Sequence, residues 1–184
     1  YPLHRDEYRT YFYDVLAGTD YDLAQQLDTL YIFEYAGQVT ADFPYAEQWA
    51  EALALTGYDV DYALPGELFA QTREELPAGT VVRAALYWDV LAEMDQNYTV
   101  FVHALDGAGQ VIGQHDSWPA DTHRPTSVLP AGEKVRDVHY LTLAEAVAPG
   151  ELSLRLGIYD SRSGDALLDT EERPFIELPV TPPD

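Results

Sequence analysis

The residues with the most chemistry to offer sit close together, in the stretch His115-Asp116-Ser117-Trp118-Pro119-Ala120-Asp121-Thr122-His123-Arg124-Pro125-Thr126-Ser127. It holds two imidazoles, two carboxylates, an indole and a guanidinium, and it forms a long connection between strand-like runs, where binding residues are often carried. An indole beside hydrogen-bonding side chains suits a sugar, whose C–H face packs on the ring while its hydroxyls reach polar groups. His115, Asp116, Trp118, Asp121, His123 and Arg124 are therefore the candidate ligand-binding residues. The competing reading is a loop folded back over the protein, with Trp118 filling the core and Arg124 paired with Asp116 or Asp121.

Other chemistry is less well supported. His115, Asp121 and His123 are ligand types that suit zinc. Their spacing matches no zinc motif, however, and His103, His115 and His139 fall in strands, where a hydrogen-bonded, half-buried histidine is the ordinary outcome. No metal and no cofactor is expected. Asp160, Ser161, Ser163 and Asp165 could offer oxygens to calcium, but the full Asp-x-Asp-x-Asp-Gly loop with its distal Glu is missing, so a hairpin turn is expected. Neither Gly-x-Ser-x-Gly nor a Ser/Lys signature occurs, and among 32 acidic residues any chosen carboxylate pair is uninformative. No catalytic residue is assigned, and the chain is not expected to be an enzyme. A hydrolase, the third choice, would need two carboxylates converging in a cleft with shifted pKa values.

Composition narrows the classes. In 184 residues, 32 acidic against 10 basic side chains give a net charge of −22, which repels nucleic-acid phosphates and anionic membrane surfaces. Hydrophobic residues make up 47%, including 14 Tyr, 6 Phe and 3 Trp, enough for a folded core rather than a disordered acidic tail. The absence of cysteine excludes disulfides, thiolate catalysis and Cys-ligated metals. No apolar run reaches the roughly 18 residues needed to span a bilayer. Because it opens at Tyr1, the chain is expected to be a fragment or a processed form.

The elements that must position these residues change character along the chain. Tyr8, Tyr11, Phe12, Val15 and Leu16 fall at helical spacing before Gly18, and Leu23, Leu27, Leu30 and Tyr31 continue a second helical stripe toward Gly37. Two short helices are predicted, in a helical segment spanning residues 1–40. Asp42-Phe43-Pro44 resembles a helix start, with helical propensity from Tyr45 to Leu53.

From about Ala52 onward the period becomes two, with a bulge predicted at Gly57 between Leu55 and Tyr58. Val82, Ala84, Leu86, Trp88 and Val90 form one inward row, and Leu152, Leu154, Leu156 and Ile158 another. Tyr98–Leu105 reads as a central strand, joined through Asp106-Gly107-Ala108-Gly109 to a hairpin partner. Leu76-Pro77-Ala78-Gly79 recurs as Leu129-Pro130-Ala131-Gly132, with a looser echo at Ala148-Pro149-Gly150, each leading into a strand. Short strands entered by Pro/Gly turns predict an antiparallel β-sandwich over residues 41–184, Ig-like or jelly-roll-like in order.

Leu55-Thr56-Gly57-Tyr58-Asp59, Leu86-Tyr87-Trp88, Tyr98-Thr99-Val100-Phe101-Val102-His103, Gln114-His115-Asp116, Arg124-Pro125-Thr126-Ser127 and Gly157-Ile158-Tyr159-Asp160 carry a family likeness in order and spacing. From about Leu53 to Leu168 the chain resembles the extracytoplasmic C-terminal β-sandwich module of bacterial membrane proteins of the dolichyl-phosphate-mannose-type glycosyltransferase class. The resemblance implies a sandwich fold and a place outside the cytoplasm or at the cell surface. It does not imply transferase activity, which in such proteins belongs to membrane-embedded segments. The expectation is thus a non-catalytic binding or accessory domain, with a glycan as the favoured partner. The alternative is a structural or protein-interaction module docking on a neighbouring domain of a parent membrane protein.

Overall fold

A computed structural model describes the backbone of residues 21–27 and 30–35, and residues 41–120 and 124–180 in full. The chain forms two compact units, Tyr1–Thr40 and Ala41–Asp184. In the first, β1 (Tyr21–Leu27) and β2 (Leu30–Tyr35) make an antiparallel hairpin, pairing Tyr21 with Tyr35 and Leu27 with Leu30. This corrects the second predicted helix. The leucines of this segment suit either period, but Leu30-Tyr31-Ile32-Phe33-Glu34-Tyr35 is aromatic and β-branched, and such residues favour strands. The first predicted helix, at Asp6–Leu16, lies outside the described residues.

The second unit is mainly β, with two antiparallel sheets. One runs in the order β3 (Phe43–Trp49), β4 (Leu53–Ala63), β5 (Val81–Val90), β8 (Lys134–Thr142). The other places β6 (Tyr98–Leu105) between β7 (Val111–Ser117) and β9 (Ser153–Asp160), while β10 (Ala166–Leu167) and β11 (Phe175–Pro179) share the far edge of β9. Among the described residues, helix is limited to the 3₁₀ turns Thr126–Val128 and Pro149–Glu151.

The helical propensity of Tyr45–Leu53 does not prevail. Phe43, Tyr45, Glu47 and Trp49 alternate with exposed neighbours along β3, and burial of Phe43 and Trp49 at its two ends outweighs the preference of Ala, Glu and Gln. Pro44 is tolerated because β3 is an edge strand. The predicted bulge is present, as a register shift between Leu55 and Gly57.

The turn from β3 to β4 puts Ala50 and Glu51 at φ 49° and 55°, closed by the Ala52 N–H donating to the Trp49 carbonyl at 3.0 Å. Two positive φ values define a type I′ turn that Asn-Gly adopts with less strain. Replacing Ala50-Glu51 with Asn-Gly should therefore raise unfolding stability by about 1 kcal/mol. Urea denaturation checks this, and no gain would mean that the turn is not strained.

The repeated Pro-Ala-Gly segments are repeated turns. Gly79 and Gly132 take φ 87° and 89°, and the N–H groups of Thr80 and Glu133 donate to the carbonyls of Pro77 and Pro130. Both are type II turns, which need positive φ at the third residue, and they lead into β5 and β8, neighbours in one sheet.

The inward rows of both sheets form one hydrophobic cluster, including Leu86, Trp88, Val100, Val102, Leu141, Leu154, Leu156 and Ile158. Trp49 and Trp88 meet edge to face at 5.5 Å between ring centroids. Tyr58 stacks on Phe43 at 4.9 Å and donates its hydroxyl to the Pro179 carbonyl at 2.7 Å, tying β4 to β11. Tyr62 likewise reaches the Val180 carbonyl, and burial pushes its phenol up to about 12.

Candidate functional site

Strand geometry separates residues that are adjacent in sequence. Successive side chains of a strand point to opposite faces, so His115 and Ser117 of β7 turn inward while Asp116 turns out. Trp118 follows the end of the strand, and Asp121 and His123 lie outside the described residues. Arg124 pairs with Glu133 at 2.6 Å rather than with Asp116. The candidates thus occupy three places.

The first is a cleft at the end of the unit where three connections converge. Asp95, Gln96 and Asn97 come from the β5–β6 connection, Trp118 and Ser127 from the β7–β8 connection, Asp160 from the end of β9, and Ser161 and Arg162 from the turn that follows it. Together they line a volume of about 500 Å³. Trp118 is half-buried, with its indole N–H donating to Ser161 Oγ at 3.0 Å. It is therefore a wall of the cleft and not a core plug.

The cleft is held by bonds that its own loops make. Buried Thr126 accepts the Tyr98 N–H at 2.8 Å and donates to the Gln96 carbonyl at 2.9 Å, while Ser127 Oγ donates to Asn97 Oδ1 at 2.6 Å. The Asp160 carboxylate accepts the N–H groups of Arg162 and Ser163, so it serves the turn, as expected of a hairpin. Among the described residues, no three His, Asp or Glu side chains converge in a way that could hold a metal ion. Gln96 and Asn97 were absent from the sequence candidates because they lie far from Trp118 along the chain. Ser161 was weighed only as an oxygen donor to calcium within a predicted hairpin turn, not as a neighbour of Trp118.

The second place is the outer face of the β6-centred sheet. Asp116 accepts the Tyr159 hydroxyl at 3.3 Å and lies 3.7 Å from His103 Nε2. Burial holds the His103 imidazole below its ordinary 6.5 against the pull of Asp116, and Arg155 pushes the same way as burial. A base whose value falls on folding loses stability as pH drops through about 6.5 toward the folded value, because the unfolded chain then binds more protons. His103 should accordingly titrate below 6.5 by NMR. Asp116→Asn should move that titration lower still, by removing the charge that favours the cation. An upward move would contradict this arrangement.

The third place lies between the sheets. His115 Nδ1 of β7 meets His139 Nδ1 of β8 at 3.0 Å, and His139 Nε2 meets Asp137 Oδ2 at 3.0 Å. Asp137 and His139 are fully buried, and the second oxygen of Asp137 accepts the Ala120 N–H at 2.9 Å. This chain of imidazoles and carboxylate joins the two sheets beneath the connection that carries Trp118.

No protein-family model matches this sequence, and no curated protein matches it.

Proposed function

We propose that this chain is a non-catalytic extracytoplasmic binding module with carbohydrate as its ligand, seated in the cleft at Trp118. The observation that carries the reading is the half-buried indole, set in a cleft of about 500 Å³ among two side-chain amides, two carboxylates, two hydroxyls and a guanidinium. An aromatic face among donors and acceptors is the arrangement that a pyranose requires. The strand order supports an Ig-like sandwich, since β4, β5 and β8 lie in one sheet and β11, β9, β6 and β7 in the other. In such a sandwich, binding loops cluster at one end, as the three connections do here. The place outside the cytoplasm rests on the family resemblance of residues 53–168. A net charge of −22 favours a neutral ligand over an acidic one.

Tryptophan fluorescence titrated with a panel of neutral oligosaccharides tests the reading. A saturable change with at least one sugar, reduced by more than tenfold in affinity in Trp118→Ala, is expected. Binding that Trp118→Ala leaves intact would exclude the cleft. Silence across the panel would favour the docking module, which draws support from exposed Leu68 together with Phe69 and Tyr140, whose rings lie 6.1 Å apart.

A further inference from the structure

We infer that the sugar site does not end at the cleft but continues across the outer face of the β6-centred sheet, where Phe101, Tyr159 and His103 form a ledge for a linear, neutral, flat-ribbon glycan. This rests on the carbohydrate reading of the Trp118 cleft.

The ledge begins in the strand register. Asp116, Phe101, Gly157 and Phe175 are consecutive cross-strand neighbours from β7, β6, β9 and β11, and all four lie on the outer face. A side chain at position 157 would fall within the Phe101 ring and against the Pro174 carbonyl. Glycine there leaves room for the phenyl ring to extend over the neighbouring strand. On either side along the strands, His103 sits 4.8 Å and Tyr159 6.2 Å from Phe101 between centroids, with ring planes inclined by 38° and 32°. Rings turned this little from one another make a ledge for a ribbon whose successive sugars also lie flat. A coiled glycan would present its faces at larger angles.

Polar groups flank the rings where a sugar places its hydroxyls. Asp116, about one third exposed, offers carboxylate oxygens between His103 and Tyr159. Gln114 is exposed in the next cross-strand row, opposite His103. On the far side Arg155 lies over the Phe175 ring, 4.4 Å from its centroid, and pairs with Glu177, so this edge is closed by a cation already neutralised.

The ledge and the cleft are linked through shared hydrogen bonds. Ser161 Oγ, which accepts the Trp118 indole N–H, also shares a hydrogen bond of 2.7 Å with Thr99 Oγ1, and Thr99 is cross-strand partner to Tyr159. From Thr99 to His103 the strand runs about 13 Å, so cleft and ledge together accommodate several sugar units.

The test uses the whole chain and two series of neutral β-1,4-linked oligosaccharides, of glucose and of mannose, from dimer to hexamer, read by calorimetry. In at least one series, affinity should rise by tenfold or more with length. Phe101→Ala should remove that gain while leaving dimer binding unchanged, and Trp118→Ala should weaken every length. Asp116→Ala, at an exposed polar site, supplies a second variant that spares the core and should also flatten the length dependence. Thermal melts of each variant establish that it is folded. A wild-type affinity flat with length, or an unchanged hexamer affinity in both folded Phe101→Ala and Asp116→Ala, would overturn the ledge and leave the cleft standing. Hexamer binding lost in Phe101→Ala but intact in Trp118→Ala would overturn the cleft instead. Absence of binding throughout both series would overturn the ledge as a site for flat ribbons, and the broader sugar panel would then decide the cleft.

Discussion

His139→Ala is expected to cost about 3–5 kcal/mol of folding stability, because it leaves a buried carboxylate without its principal partner. Asp137 and His139 are fully enclosed between the sheets, and the imidazole bridges Asp137 on one side and His115 on the other. Once it is gone, the Asp137 carboxylate keeps, among the described residues, only the Ala120 N–H, and desolvation of that charge is no longer offset. The partner variant Asp137→Asn preserves shape and one acceptor, so it should cost less. A double replacement, Asp137→Leu with His139→Leu, should also cost less than His139→Ala alone, since an apolar pair of similar volume removes the desolvation penalty together with the bond. Urea unfolding of the four proteins decides the matter. A loss below about 1 kcal/mol for His139→Ala would place this chain among ordinary surface substitutions and refute its role in joining the sheets.

A loss of similar size should follow Trp88→Ala, for a different reason. Trp88 is 2% exposed and Trp49 is fully buried, and their edge-to-face contact lies where β3, β4 and β5 meet. Deleting an indole leaves a cavity that a sheet cannot close, at about 3–5 kcal/mol. Among the described residues, neither indole N–H has a hydrogen-bond partner. Trp88→Phe therefore removes a buried, unsatisfied donor as well as volume, and should cost only about 1 kcal/mol. Equal losses in the two variants would show that ring volume is not what the site depends on.

The sequence disclosed the second unit more fully than the first. Alternation was clear in β5 and β9 because both put an unbroken apolar row against a common core, as Val82 to Val90 and Leu154 to Ile158 do. The Pro-Ala-Gly turns were legible because only glycine takes their left-handed position at little cost. What failed were segments where local preference and burial disagree. Tyr45–Leu53 has helical composition, but its first part is fixed in β3 by Phe43 and Trp49 at contacts distant in sequence, and the rest turns into β4.

The candidate site was only partly readable for a related reason. One stretch held Trp118, but its neighbours in the cleft come from turns before and after it in the chain. Period-two geometry then sent His115 and Asp116 to opposite sides of one sheet. Phe101, the centre of the proposed ledge, read simply as a residue of a central strand. Only the register placed it over Gly157.

The hydroxyl of Tyr58 bonds to a carbonyl 121 residues further along the chain, and β11, which carries that carbonyl, pairs with β9. A nascent chain halted before Phe175 has β3 to β10 in hand but lacks the strand on which Tyr58 and the 153–157 part of one edge of β9 depend. Closure of the core must therefore wait until β11 has been made, and the open edge of β9 stays available to other chains until then. For a domain with this strand order, its own final strand is the one that ends its exposure to aggregation.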